Sequence, residues 1–134
     1  MTSKSHKAIE TKLAPSPVGP YNQGVIAGDW LFCSGQIALD PLTGGMVGAG
    51  GIEAETQQVL KNLNAVINAA GGNVANIIKT TIYLVDLKDF NKVNKIYSDF
   101  FKVKISPARA CVQVSALPKG ALVEIDCVAW LASN

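Results

Sequence analysis

The one histidine of this 134-residue chain is His6, close to the start, and this narrows the chemistry open to the rest. A Ser–His or Cys–His pair inside the folded body is excluded. One histidine and three scattered cysteines, Cys33, Cys111 and Cys127, do not make a zinc site. No Rossmann glycine fingerprint and no metal-binding carboxylate cluster is visible, so neither metal nor cofactor is expected. The glycines from Gly44 to Gly51 are not followed by Gly-Lys-Ser/Thr, and read as a mobile connection rather than a phosphate loop. Catalysis would have to run on Arg, Glu, Tyr, Cys, backbone groups and water.

Weight therefore falls on Arg109, the sole arginine; the other 11 of the 12 Lys and Arg residues are lysines. It opens a strand otherwise made of apolar and small residues, and a charge there needs a partner. Its planar fork can bind a carboxylate through two parallel hydrogen bonds, which lysine cannot copy. On residue type alone a structural bridge to Asp or Glu outweighs a ligand role.

Strand alternation brings candidate partners into view. Arg109, Cys111 and Gln113 share one face of their strand, and Glu124 and Asp126 share one face of the next. If Ser115 to Gly120 is the turn of a hairpin opposing Gln113 with Glu124, then Arg109, Cys111, Glu124 and Asp126 form one polar patch. Neutralisation of Arg109 by Glu124 and a working site are both compatible with that spacing.

The elements that would position these residues read as one α+β domain over residues 1–134, with residues 1–12 as a flexible tail. Pro15, Pro17, Gly19 and Pro20 keep Leu13 to Tyr21 extended and exclude helix. Val25 to Ala27 and Trp30 to Ile37 are strands of a hairpin turning at Gly28-Asp29, and Asp40 to Gly45 is turn chemistry. Val59, Leu60, Leu63, Val66, Ile67 and Ala70 recur at helical spacing before Gly71-Gly72 ends the run. Glu53 and Glu55 lie near its start, where the helix dipole favours negative charge. Phe90, Val93, Ile96, Tyr97, Phe100 and Phe101 mark a second helix, capped by Asp86 or Asp89. Ile77 to Val85, Ala110 to Val114 and Val123 to Leu131 read as further strands. The order ββ-α-β-α-ββ predicts two helices packed on one face of one sheet.

Composition bounds the partners. A net charge of +2 with no basic run argues against a dedicated nucleic-acid binder. A hydrophobic fraction of 49% and a mean hydropathy of +0.24 are high for a monomer of this size. No apolar run reaches a membrane span's roughly 18 residues, so the excess predicts a face hidden against other copies of the chain. The segment from Met1 to Lys12 lacks the apolar core of a secretory signal. An odd number of cysteines without CxxC spacing fits a reducing, cytoplasmic setting, with an organelle still open.

Several blocks carry a resemblance. Ser106-Pro107-Ala108-Arg109-Ala110-Cys111-Val112-Gln113-Val114, then Leu117-Pro118-Lys119, then Val123-Glu124-Ile125 closely resemble the signature of the Rid (YjgF) family of imine/enamine deaminases. Pro15-Ser16-Pro17-Val18-Gly19-Pro20-Tyr21-Asn22-Gln23-Gly24, Ser34-Gly35-Gln36-Ile37 and Val93-Asn94-Lys95-Ile96-Tyr97 are similar to it too, so the likeness spans about Ala14 to Leu131. Gly50-Gly51, where a side-chain cap is common, and a slightly long glycine-rich loop depart from the pattern.

The resemblance implies a chorismate-mutase-like fold, a homotrimer whose sheets form a central barrel, and sites in the clefts between subunits. It implies hydrolysis of 2-imino acids such as 2-iminopropanoate and 2-iminobutanoate to 2-keto acids and ammonia, without a cofactor. Arg109 would bind the substrate carboxylate and Glu124 would position and deprotonate water. The backbone of Cys111 would help hold that water, its thiol being a wall because no base is present to activate it. Ser34 and Gly35 would line the cleft, Tyr21 would lie over the substrate, and Asn94 matches a further pocket position. Two other readings stay open at this point: an endoribonuclease or translation inhibitor, and a non-enzymatic holdase or carboxylate-binding trimer.

Overall fold

A computed structural model of the chain describes residues 6–132. Its sheet has six strands: β1 (Lys7–Ile9), β2 (Gly24–Ala27), β3 (Trp30–Gln36), β4 (Ile77–Leu84), β5 (Ala108–Gln113) and β6 (Val123–Trp130). Their spatial order is β1-β2-β3-β6-β4-β5. All pairs are antiparallel except β4 with β5, which run parallel. The helices α1 (Gly51–Ala69) and α2 (Phe90–Phe100) fill the chain between β3 and β4 and between β4 and β5.

Burial separates the two sheet faces. Val123, Ile125, Cys127 and Ala129 of β6 are buried, as are Ile82 and Leu84 of β4 and Leu31 and Cys33 of β3. Val59, Leu60, Leu63, Val66 and Ile67 of α1 belong to the same core, with Val93 and Tyr97 of α2. The alternate residues, including Glu124 and Asp126, lie half-exposed on the face without helices. The expected two-layer α+β architecture is therefore present.

Local chemistry explains the helix ends. Gly71, at φ 89°, occupies the left-handed region a helix stop favours, and the Gly72 N–H returns to the Ile67 carbonyl. At the start of α1 Gly50 offers no side-chain cap. Glu53 lies in the first turn as expected, but Glu55 is buried and its Oε1 accepts a bond from the Leu122 N–H, tying helix to sheet. Ahead of α2, Asp86 is the residue that caps, accepting from the Lys88 N–H at 2.9 Å, while Asp89 makes no side-chain cap.

Two expectations need correction. The first 12 residues do not all form a tail: Lys7–Ile9 pairs with β2 as an edge strand, while residues 1–5 lie outside the described residues. The buried Gln23 anchors this segment, accepting from the Thr11 N–H and donating to the Thr11 and Pro15 carbonyls. The second correction concerns β5 and β6, which do not form a hairpin. Ser115 to Gly120 is a connection that carries the chain across β4, and β6 inserts between β3 and β4. The crossover β4-α2-β5 is what makes the β4–β5 pair parallel.

Candidate active site

That topology changes where the candidate residues stand. Thr80 of β4 is in register with Arg109 on one side and with Cys127 on the other, so all three side chains share the helix-covered face. Tyr83 is in register with Val112 and Glu124, which share the open face. Arg109 and Glu124 of one chain thus project from opposite faces of the sheet, on strands separated by β4. The single polar patch expected from a β5–β6 hairpin does not form, and Arg109 makes no ion pair with Glu124.

The open face carries a cleft of about 390 Å³ beside Glu124, lined by Tyr21, Ser34, Gly35, Gln36 and Lys119 among others. It exists because the β3–β6 register shifts between Cys33 and Gln36, so that Ser34 and Gly35 bulge out of the ladder. Gly35 leaves room there for Glu124: a Cβ on it would meet the Glu124 carboxylate and force that side chain to shift. Ser34 spends its hydroxyl on the Asn22 carbonyl at 2.5 Å, and its N–H bonds the Gln23 carbonyl, fixing the turn that leads from Tyr21. Tyr21 is exposed at the rim, its hydroxyl accepting from the Val18 N–H at 3.3 Å. The extended Leu13 to Tyr21 segment is one wall of the cleft, through Pro15, Ser16, Val18 and Tyr21.

Electrostatics set Glu124 apart. Burial, and then the neighbouring Asp126 carboxylate, push its pKa above the ordinary 4.5. Asp126 lies two residues along the same face of β6 and accepts a hydrogen bond from the Tyr83 hydroxyl at 3.1 Å. Glu124 has no cationic partner among the described residues, where the ion pair present is Lys102–Asp99. A carboxylate partly desolvated, unpaired and facing a cleft is suited to taking a proton from water.

Arg109 occupies a different environment at the sheet edge. Its Nη1 donates to Asn94 Oδ1 at 2.6 Å. Its guanidinium carbon lies 4.9 Å from the Tyr97 ring centre and 5.4 Å from that of Phe90. The carboxylate bridge that residue type favoured is absent among the described residues. Asn94 is half-buried and is brought to Arg109, though not to the Glu124 cleft.

Cys111 lies two residues along β5 from Arg109, half-buried, and burial raises its thiol pKa despite the nearby Arg109 charge. That fits a wall rather than a nucleophile. Its backbone is more available. The Val114 N–H bonds the Leu84 carbonyl, and in a parallel ladder alternate residues face the partner strand. Val112 and Ala110 therefore turn their backbone groups to β4, while Arg109, Cys111 and Gln113 turn theirs outward from the edge.

The seven expected site residues thus fall into two groups: Tyr21, Ser34, Gly35 and Glu124 at the cleft, and Asn94, Arg109 and Cys111 at the edge. Lys119 beside Glu124 and Tyr97 beside Arg109 are neighbours that the sequence did not single out, whereas Asp126, expected in one patch with both, stays with Glu124 alone. Lys119 could have been suspected from its Pro-Lys-Gly turn, where it takes a left-handed φ of 56°. Among the described residues no group of three or more His, Cys, Asp or Glu could hold a metal ion. No helix there is long and apolar enough to cross a membrane.

Fold and site together define a single-domain α+β protein with a carboxylate-centred cleft on one sheet face and an arginine edge on the other. The chain belongs to the endoribonuclease L-PSP family, whose model matches residues 11–131. A human relative named 2-iminobutanoate/2-iminopropanoate deaminase is 46% identical over 129 residues, 96% of this chain and 93% of that protein. Among solved structures, a protein of unknown function of the conserved Rid family from Yersinia pestis superposes with a TM-score of 0.91 at 49% identity. That match covers 94% of this chain and 99% of the other. E. coli TdcF with bound serine matches with a TM-score of 0.87 at 41% identity, covering 92% and 98%.

Proposed function

We propose that this chain is an imine deaminase that hydrolyses small 2-imino acids to 2-keto acids and ammonia. The observation that carries the proposal is the Glu124 carboxylate, unpaired and partly desolvated, lodged against Gly35 in a cleft large enough for a small substrate. The deaminase name of the human relative and the serine bound to the E. coli relative supply the substrate class, a short 2-amino-acid skeleton.

Arg109 holds the substrate carboxylate through donors that nothing else in the described chain uses. Because Arg109 and Glu124 of one chain face opposite ways, the complete site joins the Glu124 cleft of one copy to the Arg109 edge of another. A homotrimer with its sites at the junctions meets that requirement. The exposed Trp30, Phe32 and Trp130 on the open face are suitable apolar material for the contact.

The chemistry is a balanced hydration and elimination. A water molecule, held by Glu124 and an outward backbone group of Cys111, attacks C2 of the imine as Glu124 accepts its proton. The imine nitrogen takes up a proton as the C=N π bond opens, giving a carbinolamine. Glu124 returns its proton to that nitrogen, the C–N bond breaks and ammonia leaves, and the C2 hydroxyl becomes the ketone as its proton passes to solvent, replacing the one the imine nitrogen took from solvent. Imines hydrolyse unaided, so orientation and charge stabilisation are what the site needs to add. The three thiols, all free, are in keeping with a reducing cytoplasmic setting.

The test couples purified protein to a serine or threonine dehydratase and follows loss of the imine absorbance. Decay should accelerate clearly, the acceleration should vanish with Arg109→Ala, and it should fall sharply with Glu124→Gln. Arg109→Lys should also be poor, since a charge-assisted bond carries roughly 1.5–3 kcal/mol. Unchanged decay with active dehydratase would overturn the enzyme reading in favour of a carboxylate-binding assembly. RNA cleavage that survives purification and is lost with Arg109→Ala would favour a nuclease instead.

A further inference from the structure

The Arg109 guanidinium does not hang free at the sheet edge; it rests on a surface built by one stripe of α2. Phe90, Asn94 and Tyr97 follow at intervals of four and three residues and so stand on the same side of the helix. Asn94 takes one guanidinium donor, and the rings of Phe90 and Tyr97 lie within cation–π range of the charge. Among the described residues Nε and Nη2 have no hydrogen-bond partner, and these two donors form one edge of the planar fork.

Tyr97 is the fixed part of this support. It is only 6% exposed, and its hydroxyl lies 2.6 Å from Thr80 Oγ1, itself 1% exposed. Thr80 is the residue of β4 in register with Arg109, so the ring is tied to the strand position adjacent to the arginine's own. Behind it the Phe101 ring centre lies 4.4 Å away. A buried Tyr–Thr bond could have been replaced by apolar packing without loss of core volume. What the hydroxyl adds is a defined ring position beneath the charge.

We infer that Tyr97 is a positioning residue for the deamination: anchored by Thr80, its ring holds the Arg109 guanidinium so that the Nε–Nη2 edge faces the substrate carboxylate. This rests on the assignment of Arg109 as the carboxylate binder. Tyr97 touches no reacting atom and acts through Arg109. Removing the ring should weaken carboxylate binding while leaving the Glu124-driven step intact.

Because Arg109 is the sole arginine, its side-chain Nε–H gives a single resonance in a 15N-labelled sample of the full chain. In the wild type that signal should be displaced from free arginine by the ring currents, and should move on titration with 2-oxobutanoate. Tyr97→Leu should return it towards the free position and raise the dissociation constant for 2-oxobutanoate about three- to tenfold, with the maximal turnover rate within about twofold. Tyr97→Phe, which keeps the ring but loses the Thr80 anchor, should fall between wild type and Tyr97→Leu in both displacement and affinity. A wild-type signal at the free-arginine position would overturn the inference even if Tyr97→Leu failed to fold. So would Tyr97→Leu with unchanged affinity while Arg109→Ala abolishes binding, an outcome that leaves the carboxylate assignment standing. Binding that survives Arg109→Ala would remove that assignment itself, and the inference with it.

Discussion

Gly35 and Glu124 are sterically coupled, because the bulge in β3 brings the Gly35 backbone so close to the Glu124 carboxylate that a Cβ would meet it. Gly35→Ala should therefore displace the Glu124 carboxylate and cut imine hydrolysis about tenfold or more, approaching the roughly hundredfold loss at the lower end for a missing positioned base. Thermal unfolding of that variant should change little in comparison. Asp126 acts on Glu124 through charge. Since burial first and Asp126 second raise the Glu124 pKa, hydrolysis should fall as pH drops through a value above 4.5. Asp126→Asn should move that acid limb to lower pH without abolishing it, because burial remains; a pH–rate profile reads this directly. The sign for stability is opposite to that of an ordinary paired carboxylate. A raised folded-state pKa means that Glu124's contribution is fully present below 4.5 and is lost as pH rises through the raised value. Glu124→Gln should accordingly lose most of its activity yet be no less stable at neutral pH.

At the scale of elements, the cleft depends on how α1 is fastened to the chain beyond β3. Asn62, fully buried in α1, donates from Nδ2 to the carbonyls of Ile37 and Leu39, two residues that line the cleft. Asn62→Ala leaves both carbonyls without that donor and should cost about 1–3 kcal/mol, read as an earlier urea or thermal transition. Helices and strands were legible from periodicity: the α1 stripe from Val59 to Ala70, the α2 stripe from Phe90, and the hairpin at Gly28-Asp29 all appear in the structure. Pairing was not. Nothing within Arg109 to Leu131 indicates that β5 pairs with β4 while β6 moves inward, because that choice is made by the length of the α2 crossover and the burial of β6 between two neighbours. β1 was missed for a related reason: Lys7–Ile9 is short and half polar, and its position comes from β2 and the buried Gln23.

For the whole molecule the same pairing has the largest consequence. Strand alternation alone would set Arg109 beside Glu124 within one chain; the sheet order separates them. The candidate residues are legible in the sequence and the resemblance, whereas their separation onto opposite faces is a matter of sheet order. A 49% hydrophobic composition is reflected in an open face bearing Trp30, Phe32, Val112 and Trp130 at 43–50% exposure, with Trp30 and Trp130 rings 6.4 Å apart. Such a face, beside a cleft whose Glu124 has no ion-pair partner among the described residues, is explained together with the lone arginine if copies of the chain complete one another's sites.

Complementation between two inactive variants tests this most directly. Arg109→Ala and Glu124→Gln are each purified, unfolded, mixed in equal amounts and refolded together, and imine hydrolysis is measured against wild type treated in the same way. In a randomly mixed ring, a given junction combines an intact Arg109 from one variant with an intact Glu124 from the other one time in four, so activity should return to about one quarter of wild type. Mixed samples as inactive as either variant alone, with mixed assemblies verified by mass, would contradict a site shared between copies.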